Sequence, residues 1–132
     1  MIREAKDQDL DFLVDMTRKY YEESGDGGEF HAISVCGVFN NLIVNDNAAI
    51  FVDEKMRGLV AGVVFPNFMS GQLMGNEMFM WFDKKGTRGL DKRLLQKLEL
   101  WAMSKGAASF TMKSEQAKKL GYDVKQEYTR AL

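Results

Sequence analysis

Cysteine, histidine and proline are scarce in this chain, which has one of each among its 132 residues. Because Cys36 is alone, an intramolecular disulfide is excluded, and no Cys/His group has the spacing of a metal site. We therefore predict no metal ligands, and a reducing compartment is consistent with this cysteine usage. The one proline, Pro66, falls at the end of a predicted strand, where a missing N–H group is tolerated.

The chain also lacks an excess of one charge and a long apolar run. Its 18 basic and 19 acidic residues do not supply the positive excess that binding to a phosphate backbone needs, so we predict no nucleic-acid partner. No apolar run approaches the roughly 18 residues that cross a bilayer. The beginning of the chain has no apolar signal region, so we predict a cytoplasmic protein with no membrane partner. The hydrophobic share of 45% fits one globular domain over residues 1–132.

Hydrophobic periodicity divides the chain into ten elements. The predicted strands are Ile2–Glu4, Ala48–Val52, Gly58–Phe65, Glu77–Phe82, Ala107–Met112 and Tyr122–Arg130. The predicted helices are Gln8–Tyr21, Ala32–Ile43, Leu90–Lys105 and Ser114–Leu120. The order β-α-α-β-β-β-α-β-α-β predicts an α+β fold with sandwich-like layers and a mixed, mostly antiparallel sheet.

The stretch Phe82–Arg93, between the fourth strand and the third helix, is rich in glycine and in cations. Gly86 and Gly89 would let a ligand approach the backbone, and the helix N-terminus offers unpaired N–H groups and the positive end of a dipole. The charged residues there are Lys84, Lys85, Arg88, Lys92 and Arg93 against Asp83 and Asp91. The stretch is a candidate pyrophosphate cradle, although such a loop is also typical of a solvated turn. Neither a P-loop nor a complete dinucleotide-binding fingerprint is present.

Short motifs in this region resemble those of the GNAT acyltransferases. Gly86-Thr-Arg-Gly89-Leu-Asp91 stands in the place of the family's R/Q-x-x-G-x-G/A. Leu94-Leu95 and Glu99-Leu-Trp101-Ala102 then follow as in the family's helix, and Lys119-Leu-Gly-Tyr122 looks like the Lys-Leu-Gly-Phe found later in the family. The likeness covers nearly the whole chain. Its aromatic-rich fourth strand and its ending, Tyr128-Thr-Arg-Ala-Leu132, are similar to compact members found in bacteriophages.

The resemblance implies the GNAT fold and the transfer of an acetyl group from acetyl-CoA to a primary amine. It also implies that the fourth and fifth strands splay apart, so that the pantetheine arm pairs with the main chain of the fourth strand like an added strand. The coenzyme-binding residues implied in this way are Trp81, Phe82, Asp83, Lys84, Lys85, Gly86, Thr87, Arg88, Gly89, Leu90, Asp91 and Lys92.

Acyl transfer to an amine requires a neutral nitrogen, so a group must remove a proton, commonly a carboxylate acting through water. Glu77 is predicted at the start of the fourth strand, on the face that it would share with Phe79 and Trp81. There it resembles the glutamate that acts as base in several GNAT members. The alternative interpretation is a strand-end carboxylate that faces solvent.

This sequence departs from the family pattern in the coenzyme loop. Gly86 stands where the family has Arg or Gln, and Asp91 stands where it has Gly or Ala, so Arg88 is a candidate for the displaced arginine. A carboxylate at that place would repel a pyrophosphate. A second hypothesis is therefore a catalytically degenerate GNAT-fold binding or interaction protein, and a third is an unrelated α+β ligand-binding module.

A second departure concerns the acid that protonates the departing thiolate. The tyrosine that many GNAT members use for this step would fall near Ala117, and Tyr122 and Tyr128 are its candidate substitutes. A tyrosine in a closing strand is, however, more typical of a core or a sheet surface.

The acceptor is predicted from an acidic segment between the first two helices, Glu22–Glu29. In the GNAT fold this connection borders the acceptor site, so we predict a cationic amine, on a small molecule or a protein. The sequence leaves open a homodimer and an exchange of the last strand between two chains.

Overall fold

The protein's computed structural model describes residues 1–24, 28–113, 118, 121–123 and 130–131. Its elements are β1 (Ile2–Glu4), a 3₁₀ turn (Asp7–Asp9), α1 (Leu10–Ser24), α2 (Ala32–Val44), β2 (Ala48–Asp53), β3 (Gly58–Pro66), β4 (Leu73–Phe82), α3 (Leu90–Ser104) and β5 (Ser109–Thr111). The predicted α+β class and the mostly antiparallel sheet are confirmed. The predicted last helix, 114–120, and last strand, 122–130, lie outside the described residues, apart from isolated positions.

A five-stranded sheet in the order β1-β2-β3-β4-β5 forms the centre of the described chain. The first four strands run antiparallel to their neighbours, whereas β5 runs parallel to β4. Helices α1 and α2 pack on one face of the sheet, and α3 packs on the other. All of β2 and most of β3 are therefore buried, in agreement with their continuous apolar sequence.

One apolar stripe attaches α3 to the sheet. Its leucines recur at three- and four-residue spacing and are completely buried: Leu90, Leu94, Leu95 and Leu98. Burying a leucine side chain contributes about 1.5–3 kcal/mol. This stripe begins at the first residue of the helix, so the N-terminus of α3 is held firmly against the sheet.

The first helix, α1, begins at Leu10 rather than near Gln8, because the residues before it form the 3₁₀ turn. Asp9 anchors that turn: its Oδ2 accepts hydrogen bonds from the Lys6 main-chain N–H at 2.8 Å and from Arg3 Nη1 at 2.7 Å. The Arg3 guanidinium also holds the pKa of the Asp9 carboxyl below its usual value. The pair thus ties β1 to the start of α1.

The fourth strand starts at Leu73, so the loop before it is shorter than the sequence predicted. Asn67 closes a tight turn there, since its Oδ1 accepts from the main-chain N–H groups of Met69 at 2.8 Å and Ser70 at 3.0 Å. The Asn67 N–H donates in turn to the Gln72 carbonyl at 2.7 Å. Such a side-chain-closed turn frees the following residues to extend β4.

A bulge interrupts the pairing of β3 with β4. Ala61 pairs with Phe79 and the next residue, Gly62, pairs with Glu77, so Met78 is an extra residue on β4. A bulge of this kind breaks the alternation of side chains along the strand. Because cross-strand partners point to the same face, and a Cβ on Gly62 would meet a leucine of α3, Glu77 also points to the α3 face.

Candidate active site

The outer edge of β4 loses its strand partner halfway along. Within the described residues β5 pairs only with the beginning of β4, as far as Asn76. On the inner side, the Asp83 N–H donates to the Arg57 carbonyl at 2.7 Å. Since neighbouring residues of an antiparallel ladder alternate in direction, the main-chain groups of Met80 and Phe82 point outward, away from β3. This edge can therefore accept an extended ligand.

Glu77 lies in the middle of β4 and is 2% exposed. Its Oε1 accepts a hydrogen bond from the Lys113 main-chain N–H at 2.8 Å, just beyond the end of β5. The prediction that Glu77 begins the strand is wrong, because β4 starts at Leu73. The prediction that it shares a face with Phe79 and Trp81 is also wrong, because the bulge at Met78 turns the Glu77 side chain to the other face of the sheet. The carboxylate instead lies on the α3 side, where β4 and β5 part.

The loop after β4 is a turn closed by hydrogen bonds, and its exposed surface is basic. The Thr87 hydroxyl donates to the Asp83 carbonyl, and the Lys85 N–H donates to Asp83 Oδ1 at 3.0 Å. Gly86 has a φ of +68°, which favours glycine, and a Cβ there would meet no atom within 4 Å. The exposed cations of the predicted cradle are Lys84, Lys85, Arg88, Lys92 and Arg93.

The N-terminus of α3 opens from this loop without a side-chain cap. Gly89 is the N-cap residue, with φ +79° and ψ 0°, and among the described residues no side-chain hydrogen bond caps the helix. The Leu90 N–H donates to the Thr87 carbonyl at 2.9 Å. Asp91 occupies the first turn and is partly exposed. An uncapped first turn beside several cations has the donors and the potential that an anion requires.

An ion pair from the β2–β3 turn supports the loop, and the sequence did not indicate it. The Asp53 side chain is 1% exposed, and its carboxylate binds Arg57 through Nε at 2.7 Å and Nη2 at 3.1 Å. Arg57 Nη1 reaches the Gly86 carbonyl at 3.4 Å. The guanidinium lowers the pKa of the Asp53 carboxyl. The only sequence signal is an acidic strand end followed four residues later by arginine.

The end of α1 lies against β4 on the face of the sheet opposite α3. Trp81 Nε1 donates to Glu23 Oε2 at 3.2 Å, and Lys19 Nζ lies 5.8 Å from the centre of the Trp81 ring. Next to them, the rings of Tyr20 and Phe79 meet edge to face at 4.9 Å. The acidic segment that was predicted to border the acceptor site therefore contacts β4 directly. Residues 25–27 of that segment lie outside the described residues.

The predicted proton donors are only partly described. Ala117 and Tyr128 lie outside the described residues. Tyr122 donates from its hydroxyl to Glu99 Oε2 on α3, and burial, together with this carboxylate, raises the pKa of Tyr122. Glu99 lies in the C-terminal half of α3, whereas the coenzyme loop is at the N-terminal end.

Two further findings concern classes of ligand. The described part of the chain contains no group of three or more His, Cys, Asp or Glu residues arranged to hold a metal ion. Among the helices described, none is long and apolar enough to pass through a bilayer.

No family model matches this chain, and no curated protein matches it in sequence. Solved structures do match this chain in fold. An integron cassette protein from the mobile metagenome of Cole Harbour Salt Marsh superposes with a TM-score of 0.85 and 17% identity, over 99% of this chain and 90% of that one. A predicted acetyltransferase from Clostridium acetobutylicum, solved with acetyl-CoA, gives 0.81 and 16% identity over 100% and 95%.

A third match is an aminoglycoside acetyltransferase from an uncultured soil metagenomic sample, solved with sisomicin. It has a TM-score of 0.73 and 14% identity, over 100% of this chain and 93% of that one. With these neighbours, the described elements show that the chain has the GNAT fold, as the sequence predicted. None of the three is described as bacteriophage-encoded, so that part of the resemblance stays a prediction.

Proposed function

We propose that the protein is an N-acetyltransferase that moves the acetyl group of acetyl-CoA to a primary amine. The proposed donor site is the stretch from Trp81 to Lys92, and the proposed base is Glu77. The observation that carries the proposal is the continuity of the site. The edge of β4 beyond Asn76, which has no strand partner among the described residues, leads into a glycine-containing basic loop and then into the N-terminus of α3. We also propose that the protein works in the cytoplasm.

Two parts of the coenzyme, the pantetheine arm and the pyrophosphate, have a matching surface in this site. The outward main-chain groups of Met80 and Phe82 fit the amides of a pantetheine arm, which would lie along β4 as a strand lies along a sheet edge. The first-turn N–H groups of α3 and the cations of the loop fit a pyrophosphate. Arg88 is the proposed replacement for the family's loop arginine.

Starting from the ammonium form, the chemical step removes two protons from the nitrogen and returns one to the departing sulfur. The neutral amine nitrogen attacks the thioester carbonyl carbon, the C–S bond breaks, and the products are an amide and a CoA thiol, with one net proton released from the ammonium form. Glu77 lies where β4 parts from β5 and would receive that proton through water. Its hydrogen bond with the Lys113 N–H fixes the direction of the carboxylate.

The substitution Glu77→Gln tests the base, because the glutamine oxygen can still accept from the Lys113 N–H. We expect unchanged acetyl-CoA binding and a fall in kcat of about 10²–10⁴-fold, the usual contribution of general base catalysis. Thiol release from acetyl-CoA with a panel of primary amines measures it. Glu54→Gln, in the exposed β2–β3 turn, is the matched control. Wild-type activity in Glu77→Gln would contradict the assignment.

The second candidate is a GNAT-fold protein that binds the coenzyme or a partner without turnover. Asp91 favours it, because a carboxylate in the first turn of α3 competes with a pyrophosphate for the same N–H groups. Acetyl-CoA binding without acetyl transfer to any amine of the panel would favour this candidate. A homodimer remains a prediction for both candidates.

The proposed acceptor is an amine that is cationic in solution. Glu22 and Glu23 are exposed at the end of α1, and Glu23 contacts Trp81 on β4. Negative charge beside the site raises the local concentration of cations. The match with an aminoglycoside acetyltransferase is consistent with a cationic acceptor, because aminoglycosides carry several amino groups. The bound sisomicin is a ligand of that enzyme and not of this chain.

A further inference from the structure

A small apolar pocket opens beside the bulge, between β4 and the helices of the α1–α2 face. Its volume is about 190 Å³. The residues that line most of it are Val35, Val38, Leu42, Ala61, Met78 and Phe79. It lies on the opposite face of the sheet from Glu77, next to the point where β4 loses its outer partner.

The bulge creates this pocket. Met78 and Phe79 are consecutive, yet both line it, because the extra residue turns two neighbouring side chains to one face. At its mouth, Met78 is 41% exposed and Val38 is 51% exposed. The flexible Met78 side chain can adapt to apolar groups of different shape. The pocket is thus open to a ligand rather than filled by the core.

The polar group in the lining is already engaged. Thr17 contributes a hydroxyl, which donates to the Leu13 carbonyl at 2.8 Å. A polar ligand group would lose its hydration here without gaining a good partner, so the pocket favours an apolar group. The volume equals that of about six water molecules at about 30 Å³ each, which is room for a phenyl ring or a branched butyl group.

A carboxylate stands a short distance from the pocket. Phe79 lines the pocket, and Trp81, two residues further along β4, binds Glu23 Oε2 through its indole N–H. Two strand residues span about 7 Å. The other oxygen, Glu23 Oε1, has no partner within the described residues, whereas the nearby Lys19 Nζ lies 3.4 Å from an Asp15 oxygen. Glu23 is therefore the candidate partner for the ammonium group of a ligand whose apolar part occupies the pocket.

From this combination we infer that the face of β4 that packs on α1 and α2 binds a primary amine with a compact apolar group two or three atoms from its nitrogen, as in an arylalkylamine. Only the identification of this amine as the acetyl acceptor rests on the proposed function. Binding of the amine depends on the pocket and on Glu23, and it requires neither acetyl-CoA nor turnover.

The test is an NMR titration of the protein labelled with [¹³C-methyl]methionine, in the absence of acetyl-CoA. The probe ligands are 2-phenylethylamine and ethylamine, which carry the same charge. We expect the Met78 methyl signal, assigned from its loss in Met78→Leu, to shift and saturate with 2-phenylethylamine and to stay unmoved at the same concentrations of ethylamine. Equal shifts with both amines, or no shift with either, would overturn the inference.

Two variants of α2 provide the control for specificity. Val38→Phe fills the pocket from its exposed mouth and should weaken binding of 2-phenylethylamine at least tenfold. Val44→Phe, on the same helix at a position 70% exposed and outside the pocket lining, should bind as the wild type does. Equal weakening in both variants would refute the pocket. If 2-phenylethylamine binds as expected but acetyl-CoA does not, the proposed function fails and the amine site stands.

Discussion

At the scale of single residues, long-range contacts of carboxylates do more to shape the site than the sequence suggested. Asp53 sits at a strand end, and its pairing with Arg57 links the β2–β3 turn to the loop at Gly86, 29 residues away. The Trp81–Glu23 bond joins residues 58 positions apart. Periodicity reports which residues are buried, but it carries no information on such long-range polar contacts. They could not be predicted.

The first prediction at this scale concerns acid sensitivity. The folded-state pKa of Asp53 is lowered by Arg57, so the pair stabilises the fold above the unfolded pKa and loses this effect as pH falls through the lowered value. Asp53→Asn should cost about 1–3 kcal/mol near pH 7 and less near pH 3, which is below the unfolded pKa. Urea unfolding at both pH values measures it. A loss of stability that is equal at both would contradict the role of the ion pair.

At the scale of elements, the sequence predicted the first three helices and the central strands well and the bulge not at all. The leucine stripe of α3 is a strong periodic signal, and the apolar runs of β2 and β3 are strong signals of buried strands. The structure confirmed the helix and both strands. The bulge is a single extra residue, Met78, whose place is set by pairing with β3 rather than by local preference. For this reason Glu77 was expected on the wrong face, and the apolar pocket was not foreseen.

The tight contact between β3 and α3 predicts opposite effects of two glycine substitutions. In Gly62→Ala the new Cβ would lie 2.8 Å from the Asn76 carbonyl oxygen and 2.8 Å from a Leu98 methyl, so the variant should lose about 1–3 kcal/mol. Gly37→Ala, inside α2 with no atom within 4 Å of the new Cβ, should gain about 0.5–1 kcal/mol. Thermal unfolding of both variants checks the pair. A stable Gly62→Ala would refute the packing of α3 on β3.

At the scale of the whole molecule, a nearly neutral chain separates its charge into a basic loop on one side of β4 and an acidic helix end on the other. This division is the main electrostatic feature of the proposed enzyme, because the donor is an anion and the acceptor a cation. The composition indicated both charged segments. Their positions on either side of β4 follow from the fold.

The acidic side gives a prediction for the acceptor. Glu22→Gln combined with Glu23→Gln should raise the acceptor KM about 3- to 30-fold with little change in kcat, and the effect should shrink at high salt. Steady-state kinetics at two ionic strengths measure it. Asp7→Asn combined with Asp11→Asn, two exposed carboxylates at the start of α1, is the matched control. Equal effects of both double variants would contradict local attraction.

The central claim is that acetyl-CoA binds where β4 meets α3, and titration calorimetry on variants of two positive-φ glycines tests it most directly. Gly89 and Gly106 both have positive φ, +79° and +92°, so alanine costs each about 1–2 kcal/mol of stability at opposite ends of α3. Gly106→Ala should bind acetyl-CoA as the wild type does, and Gly89→Ala should bind it at least tenfold more weakly. No binding by the wild type, or equal weakening in the two variants, would contradict the account.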